Sequence, residues 1–277
     1  MFKQPNRPDI DWNAVDYCQH STAQQSWARE LIAKLELQGE KRILDIGCGD
    51  GKITAEIAGC VPYGSVTGVD NSPAMIDLAR HNFTAEKHPN LSFRLLDAGR
   101  MDYKDQFDVI FSNAVLHWIP DHKPVLTGIC QALVPGGRIL LQMGGKGNAD
   151  DILKMMNILR TRDEWHDYFL NFTFPYFFPD CNEYEPLLNN AGFTVRHVEL
   201  FPKDMVYNDK AGLAGWIRTT WMPYTSRIPE ALRNKFIDEV VTEYLVHIPP
   251  DNNGKIHVAM VRLEVEAVKP SHPLNEL

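Results

Sequence analysis

Two carboxylates stand inside a glycine-rich turn, Leu44-Asp45-Ile46-Gly47-Cys48-Gly49-Asp50-Gly51. An apolar run, KRILDIGC, leads into it, and a helical pattern, KITAEIAGC, leads out. Glycines at 47, 49 and 51 let the backbone turn sharply and bring amide groups against a ligand. Between a strand and a helix, such a loop marks a nucleotide-type ligand at the carboxyl end of the first strand. Charge narrows the choice. The pyrophosphate of a dinucleotide needs bare amides and a helix N-terminus, and Asp45 and Asp50 would meet it with like charge. At an effective dielectric near 20, two unit charges 4 Å apart repel by about 4 kcal/mol. The spacing is GxGxG, whereas the dinucleotide fingerprint is GxGxxG. A nucleoside with cationic groups suits the loop better.

S-adenosylmethionine carries a sulfonium and an ammonium group and no phosphate. LDIGCGDG, followed in order by GVDNSPAM, RLLDAG and LVPGG, resembles the class I S-adenosylmethionine-dependent methyltransferases across residues 42 to 143. The resemblance implies that Asp45, Gly47, Cys48 and Gly49 line the methionine end of the cofactor. It implies that Asp70 holds the ribose hydroxyls and that Asn71 and Met75 border the ribose and adenine. Asp97 and Ala98 would meet the adenine amino edge, and Asn113 and Ala114 would close the pocket near the methyl group. Each has a plainer alternative: Asp70 as a strand-end cap, Asp97 as a solvated turn acid, Met75 as core, Cys48 as a small filler.

The acceptor is less constrained. After the fourth apolar run comes NAVLHWIPD, which is not the NPPY-type sequence of nucleobase amino methylation. His117 there can be a general base, a donor to the acceptor, or a packed histidine, and Trp118 can cover the cofactor or fill core. A narrower resemblance runs through DWNAVDYCQHSTAQQSWARELI, SNAVLHWIPDH, GWIRTTWMPYT and DNNGKIHVAMVRLEVEA, which together are similar to the trans-aconitate methyltransferase family. LDIGCGDGK with LHWI also resembles juvenile hormone acid methyltransferases. Both imply methylation of a carboxylate oxygen, of a small organic acid in the first family and of a lipid-like acid in the second, so the expected acceptor is a small organic or fatty acid. Such an acceptor wants a cationic clamp, and Arg218 is the first candidate, with Arg227 second. Trp216, Trp221 and Tyr224 would be apolar walls. Trp165, Phe172, Phe174, Tyr176, Phe177 and Phe178 can line the acceptor or pack under a loop. Tyr17, His20, Ser21 and Gln24 share one helical face, and in similar methyltransferases such a helix lies over the cofactor, with Tyr17 and Gln24 at the methionine end. A C- or O-methyltransferase with His117 as base is the alternative function. A binding protein without turnover is a third reading, and the intact acids and glycines oppose it.

These residues need a scaffold. SVTGVD, LSFRLLD, FDVIFSN and GRILLQM read as further strands. Ser72 is placed as an N-cap with Pro73 in the first turn of a helix. A helix of about ten residues precedes Pro135-Gly136-Gly137. Continuous apolar strands alternating with helices give an α/β fold with a parallel sheet covered on both faces and doubly wound. Residues 149 to 169, 209 to 222 and 229 to 247 read as helices, and NEYEPLLNNAGF as a short one stopped by Gly192. TVRHVELF and IHVAMVRLEVEAV read as strands that rejoin the sheet. With the methyltransferase resemblance, the expectation is a mostly parallel seven-stranded Rossmann-like sheet with a helical insertion. The whole chain, 1–277, is read as one domain: a lid at 1–40, a cofactor core at 41–145, and acceptor-side helices plus final strands at 146–277.

Composition bounds the rest. The chain has 277 residues, 44% of them hydrophobic and 23% charged, which is globular composition. Its formal charge of −8 opposes a nucleic-acid or anionic-membrane partner. No apolar run is long enough to span a bilayer, and the first residues lack a signal core. Cys18, Cys48, Cys60, Cys130 and Cys181 are odd in number with no CxxC pair, so free thiols in a reducing cytoplasm are expected and no metal site. The partner is a small acceptor molecule, and oligomeric state is left open.

Overall fold

The computed structural model describes residues 22–271, with side chains from Trp27 onward. Tyr17, His20, Ser21 and the side chain of Gln24 therefore lie outside the described part. In chain order the elements are α1 (Thr22–Lys34), β1 (Arg42–Ile46), α2 (Lys52–Cys60), β2 (Ser65–Asp70), α3 (Pro73–Asn82), β3 (Leu91–Leu95), β4 (Phe107–Asn113), α4 (Lys123–Ala132) and β5 (Leu133–Gly144). Then follow α5 (Asp150–Leu159), α6 (Asp163–His166), α7 (Cys181–Asn190), β6 (Thr194–Tyr207), α8 (Lys210–Thr220), α9 (Met222–Thr225), α10 (Glu230–His247) and β7 (Ile256–Val268).

The seven strands form one sheet in the order β3-β2-β1-β4-β5-β7-β6. The pairs from β3 to β5 are parallel, and β7 runs antiparallel to β5. The order reverses between β1 and β4, so the loops after those two strands open side by side. That is where ligands bind in such sheets. Parallel strands need cover on both faces, and the sequence supplies it. Leu44, Ile46, Ile110 and Leu141 pack into one apolar cluster, while Ile43, Val109, Phe111 and Leu140 pack into another. Burying each such side chain contributes about 1.5–3 kcal/mol.

The described chain packs into two compact units. One comprises residues 22–148, 176–203 and 261–271 and carries the central strands. The other comprises 149–175 and 204–260 and is mainly helical. In it, Trp165 meets Phe236 edge-on at 5.2 Å between ring centroids. The Trp165 indole N–H donates to Glu239 at 2.9 Å, so the buried ring keeps its polar atom satisfied.

Local chemistry explains the helix starts. The Ser72 hydroxyl accepts from the Met75 amide with Pro73 in the first turn, as expected of an N-cap. Asp180 and Glu183 form a reciprocal capping box at the start of α7, and Gly192 follows that helix at φ +93°. Asp209 caps α8 by accepting from the Gly212 amide.

Three boundaries differ from the sequence reading. The helix expected over 149–169 breaks after Leu159, where the Thr161 hydroxyl donates to the Ile158 carbonyl and competes with the helical ladder. Strand β5 starts at Leu133, before the Pro-Gly-Gly turn. Its register against β4 shifts between Phe107 and Val109, a bulge that accommodates Pro135 and the left-handed Gly136. Strand β6 continues past Pro202 to Tyr207.

His257 binds two acids in the helical unit: Nδ1 lies 2.7 Å from Asp204 and Nε2 3.4 Å from Asp251. The hydrogen bond to Asp204, then that to Asp251, hold its pKa above the ordinary histidine value. The imidazolium therefore stabilises the fold fully below about pH 6.5, and that contribution is lost as pH rises through the raised folded value. In melting curves between pH 5.5 and 8.5, His257→Gln should lower Tm at the acid end. The difference from wild type should shrink toward the alkaline end; a constant difference would show that charge has no part in it.

Candidate active site

The glycine loop closes at the end of β1, and its hydrogen bonds reveal its chemistry. Gly47 and Cys48 donate their amides to the Val69 carbonyl at 2.7 and 3.0 Å. The Gly51 amide donates to the Cys48 carbonyl at 3.0 Å, and the Gly49 amide to Asp70 Oδ2 at 3.1 Å. The amides that would cradle a pyrophosphate are therefore spent inside the protein. Gly47 has φ +76°, and a Cβ there would fall 2.2 Å from Val115 Cγ2, so glycine is needed both for conformation and for contact with the β4 loop.

Asp70 ends β2. Its Oδ1 accepts from the Ser72 amide at 2.8 Å while Oδ2 takes Gly49, so one carboxylate links the glycine loop to the start of α3. Burial raises its pKa against those backbone bonds. Asp45 is 2% exposed and accepts from the Thr54 hydroxyl at 2.7 Å. Burial pushes its carboxyl up to about 7, with Asp70 adding to the rise. Asp50, in contrast, pairs with Lys52 at 2.8 Å. The acids at this edge that are not paired with a lysine are thus Asp45 and Asp70, a narrower pair than the loop sequence implies. Cys48 is buried, with its thiol pKa raised by that burial, and acts as a small packed residue.

The other expected cofactor residues gather at the same edge of the sheet. Asn71 is exposed just beyond Asp70, whereas Met75 is 3% exposed in the first turn of α3. Asp97 caps a short 3-10 turn by accepting from the Gly99 amide at 2.9 Å, and Ala98 beside it is buried. Asn113 ends β4, and Ala114 sits at φ +58°, a strained conformation for a residue with a Cβ. The Ala114 amide donates to the Gln142 carbonyl, which anchors that turn to β5. A buried and a half-buried acid with no phosphate cradle fit a sulfonium nucleoside.

Comparison with known proteins agrees. A methyltransferase domain family model matches residues 37–171. The chain is 28% identical to a trans-aconitate 2-methyltransferase of Variovorax paradoxus, over 94% of this chain and 99% of that protein. It is 29% identical to the enzyme of the same name from Methylobacterium radiotolerans, again over 94% and 99%. Among solved structures, YcgJ of Bacillus subtilis superposes with TM-score 0.62 at 18% identity, covering 90% of this chain and 100% of that one.

The chain is an S-adenosylmethionine-dependent methyltransferase. In this methyltransferase, His117 follows the Ala114 turn in a 3-10 turn, Leu116–Trp118, and is 6% exposed. The Gly144 amide donates to His117 Nδ1 at 3.3 Å, so the ring proton resides on Nε2. Burial lowers the His117 pKa well below the ordinary value, and the nearby charge of Arg262 adds to the fall. The aromatic run of 171–180 divides its residues between two histidines. Tyr176 and Phe178 pack beside His117 at 6.3 and 5.8 Å, and Trp118 lies 4.8 Å from Tyr176. Phe177 meets His122 edge-on at 4.9 Å. His122 is bonded through both nitrogens, to Tyr184 and to the Leu116 carbonyl, and is a structural residue.

Arg262 escaped the sequence reading. It alternates within β7 like any strand residue, yet it is 4% exposed and its guanidinium lies 4.8 Å from the centre of the Trp27 ring. No motif signals it. In the helical unit, Trp216, Trp221 and Tyr224 come together as expected, with Trp216 and Trp221 edge-to-face at 5.8 Å and Tyr224 6.3 Å from Trp221. All three are buried, as the packed interior of that unit. Arg218 occupies the last turn of α8. Among the described residues no metal-binding group of side chains occurs, no helix is long and apolar enough to cross a membrane, and Cys48, Cys60, Cys130 and Cys181 are free.

Because burial pushes the Asp45 carboxyl up to about 7, a cationic ligand held against it should release a proton on binding. S-adenosylmethionine affinity should therefore rise with pH by up to about tenfold per unit below 7 and level off above it. Calorimetry in two buffers of different ionisation enthalpy should register proton release at pH 6. Asp45→Asn should bind more weakly at pH 8 and show no pH slope; a wild-type affinity flat from pH 5.5 to 8 would remove Asp45 from the site.

Proposed function

We propose that the methyltransferase esterifies a carboxylate of a small organic acid. The observation that carries this reading is the state of His117. A phenol, amine or carbon acid needs a base to become a nucleophile, while a carboxylate with pKa near 4 is ionised at pH 7. His117 is neutral, with its Nδ1 engaged by the Gly144 amide and its proton on Nε2. It is equipped to donate a hydrogen bond and poorly equipped to accept a proton. The alternative with His117 as base lacks that support. Near-complete overlap with two proteins named trans-aconitate 2-methyltransferase adds to the reading for a small carboxylic acid.

Bound S-adenosylmethionine would supply an activated methyl group on a sulfonium. The chain's own part is placement. Asp45 and Asp70 would hold the cationic and ribose portions of the cofactor, with Asp97 and Ala98 at the adenine and Asn113 and Ala114 near the methyl group. The His117 Nε2–H would donate to the acceptor carboxylate and orient it. Trp118, Tyr176 and Phe178 would exclude water there. Alignment of this kind supplies up to about 7–11 kcal/mol of barrier reduction in ideal cases.

Incubation with methyl-labelled cofactor and a panel of carboxylic acids, trans-aconitate included, should yield base-labile methyl esters. The rate at saturating cofactor should stay flat from pH 6.5 to 8.5. His117→Gln, which keeps a donor, should retain more activity than His117→Ala. Label appearing only in alkali-stable products, together with a rate that climbs through pH 6.5, would sink the carboxylate reading.

A further inference from the structure

Among the described residues of the helical unit, Arg160 and Arg227 meet over one aromatic ring with no acid paired to either. Arg160 follows α5, and its Nε is buried with no hydrogen-bond partner. Its guanidinium lies 5.4 Å from the centre of the Phe172 ring, and its charge reaches the Tyr224 hydroxyl. Arg227, after α9, places its guanidinium 5.2 Å from the same ring. It donates only to the Tyr168 and Leu170 carbonyls, at 3.3 and 3.4 Å. Neighbouring cations of this unit are paired. Arg162 binds Glu243 at 2.6 Å, and Lys235 binds Glu164. A turn with Asn171 at φ +59° sets Phe172 in place, and the Phe172 amide donates to the Phe169 carbonyl.

A buried donor left unmade is costly, and native proteins leave few of them. Two like charges gathered on one ring add repulsion. Cation–π contact offsets part of this, but it leaves the buried Nε–H of Arg160 without an acceptor and engages Arg227 through Nη1 alone. Guanidinium forks match a carboxylate in bidentate geometry. The rings of Phe172, Phe169 and Tyr224, packed at 4.5 to 6.1 Å from one another, offer an apolar wall for a carbon skeleton.

We propose that Arg160 and Arg227 form a binding site for a polycarboxylate around Phe172. The site stands on this geometry; the identification of its ligand with the methyl acceptor rests on the reading above. An acid with two or more carboxylates can answer both guanidiniums, which a monocarboxylate cannot.

Calorimetry of the full chain with trans-aconitate, citrate, acetate and inorganic phosphate tests it. The two tricarboxylates should bind, with acetate at least about tenfold weaker. Arg160→Met and Arg227→Met should each weaken tricarboxylate binding by about tenfold or more, while S-adenosylmethionine affinity is unchanged. Arg160→Lys should recover only part of the loss, since it restores charge without the fork. Without acid, Arg160→Met should melt at or above the wild-type Tm, because an unpartnered donor has been removed. If the acceptor is the ligand, its KM rises in both variants with kcat retained; an unchanged KM with lost tricarboxylate binding assigns the site to a separate effector acid. Absent tricarboxylate binding in wild type, phosphate binding alone, or equal affinities in wild type and both variants would overturn the site. Wild-type binding without ester formation would leave the site standing and remove the acceptor reading.

Discussion

One carbonyl and one carboxylate hold the centre of this enzyme together. The Val69 carbonyl accepts the amides of both Gly47 and Cys48, and Asp70 accepts those of Gly49 and Ser72. Four donors from two loops thus converge on the last two residues of β2. This is why the glycine loop is a formed structure with its amides directed inward. It is also why this edge is acidic: once the amides are consumed, the polar groups left at the turn include the carboxylates of Asp70 and Asp45. Removing the Asp70 carboxylate would orphan two amides as well as a ligand contact, so fold and affinity are coupled at that residue.

Much of this architecture is legible from residue pattern. The strands with continuous apolar runs, the Ser72 cap, the Gly192 stop and the final alternating strand depend on local periodicity and capping, and each occurs where the pattern places it. The misjudged boundaries share a cause. The break at Leu159 and the start of β5 depend on a single competing hydrogen bond or a bulge against a partner strand, which no local window contains. The site divides in the same way. Acids and glycines contiguous in sequence are read together, and so are Asp70 and Asp97 at strand ends. Asp50 differs from Asp45 in its pairing with Lys52, which the loop sequence does not announce.

Residues brought from afar carry no such mark. Thr54 tunes Asp45 from across the first turn of α2. Arg262 reaches His117 from β7, more than a hundred residues later, while its neighbours in sequence look like ordinary strand alternation. Arg160 lies in what resembles an amphipathic helix, where a cation is the usual solvated face. Only its buried Nε, an absence rather than a motif, distinguishes it. Aromatic residues are ambiguous for the opposite reason: a run such as 171–180 must pack somewhere, and two of its rings attend a structural histidine or a cation rather than a common pocket.

The charge balance of the β1–β4 crevice bears on the acceptor. Two acids, Asp45 buried and Asp70 half-buried, that favour a sulfonium also repel an anionic acceptor brought to the same place. Under a carboxylate reading some cation must offset them, and it must do so without becoming a competing proton donor. A buried histidinium would fail that demand, since its proton could neutralise the nucleophile. An arginine meets it, because guanidinium keeps its proton across the physiological range. Arg262 has that chemistry, and its charge reaches the buried His117 ring. Burial first, and the Arg262 charge second, hold His117 neutral, so a cation that disfavours a base at that ring would also favour an anion brought beside it.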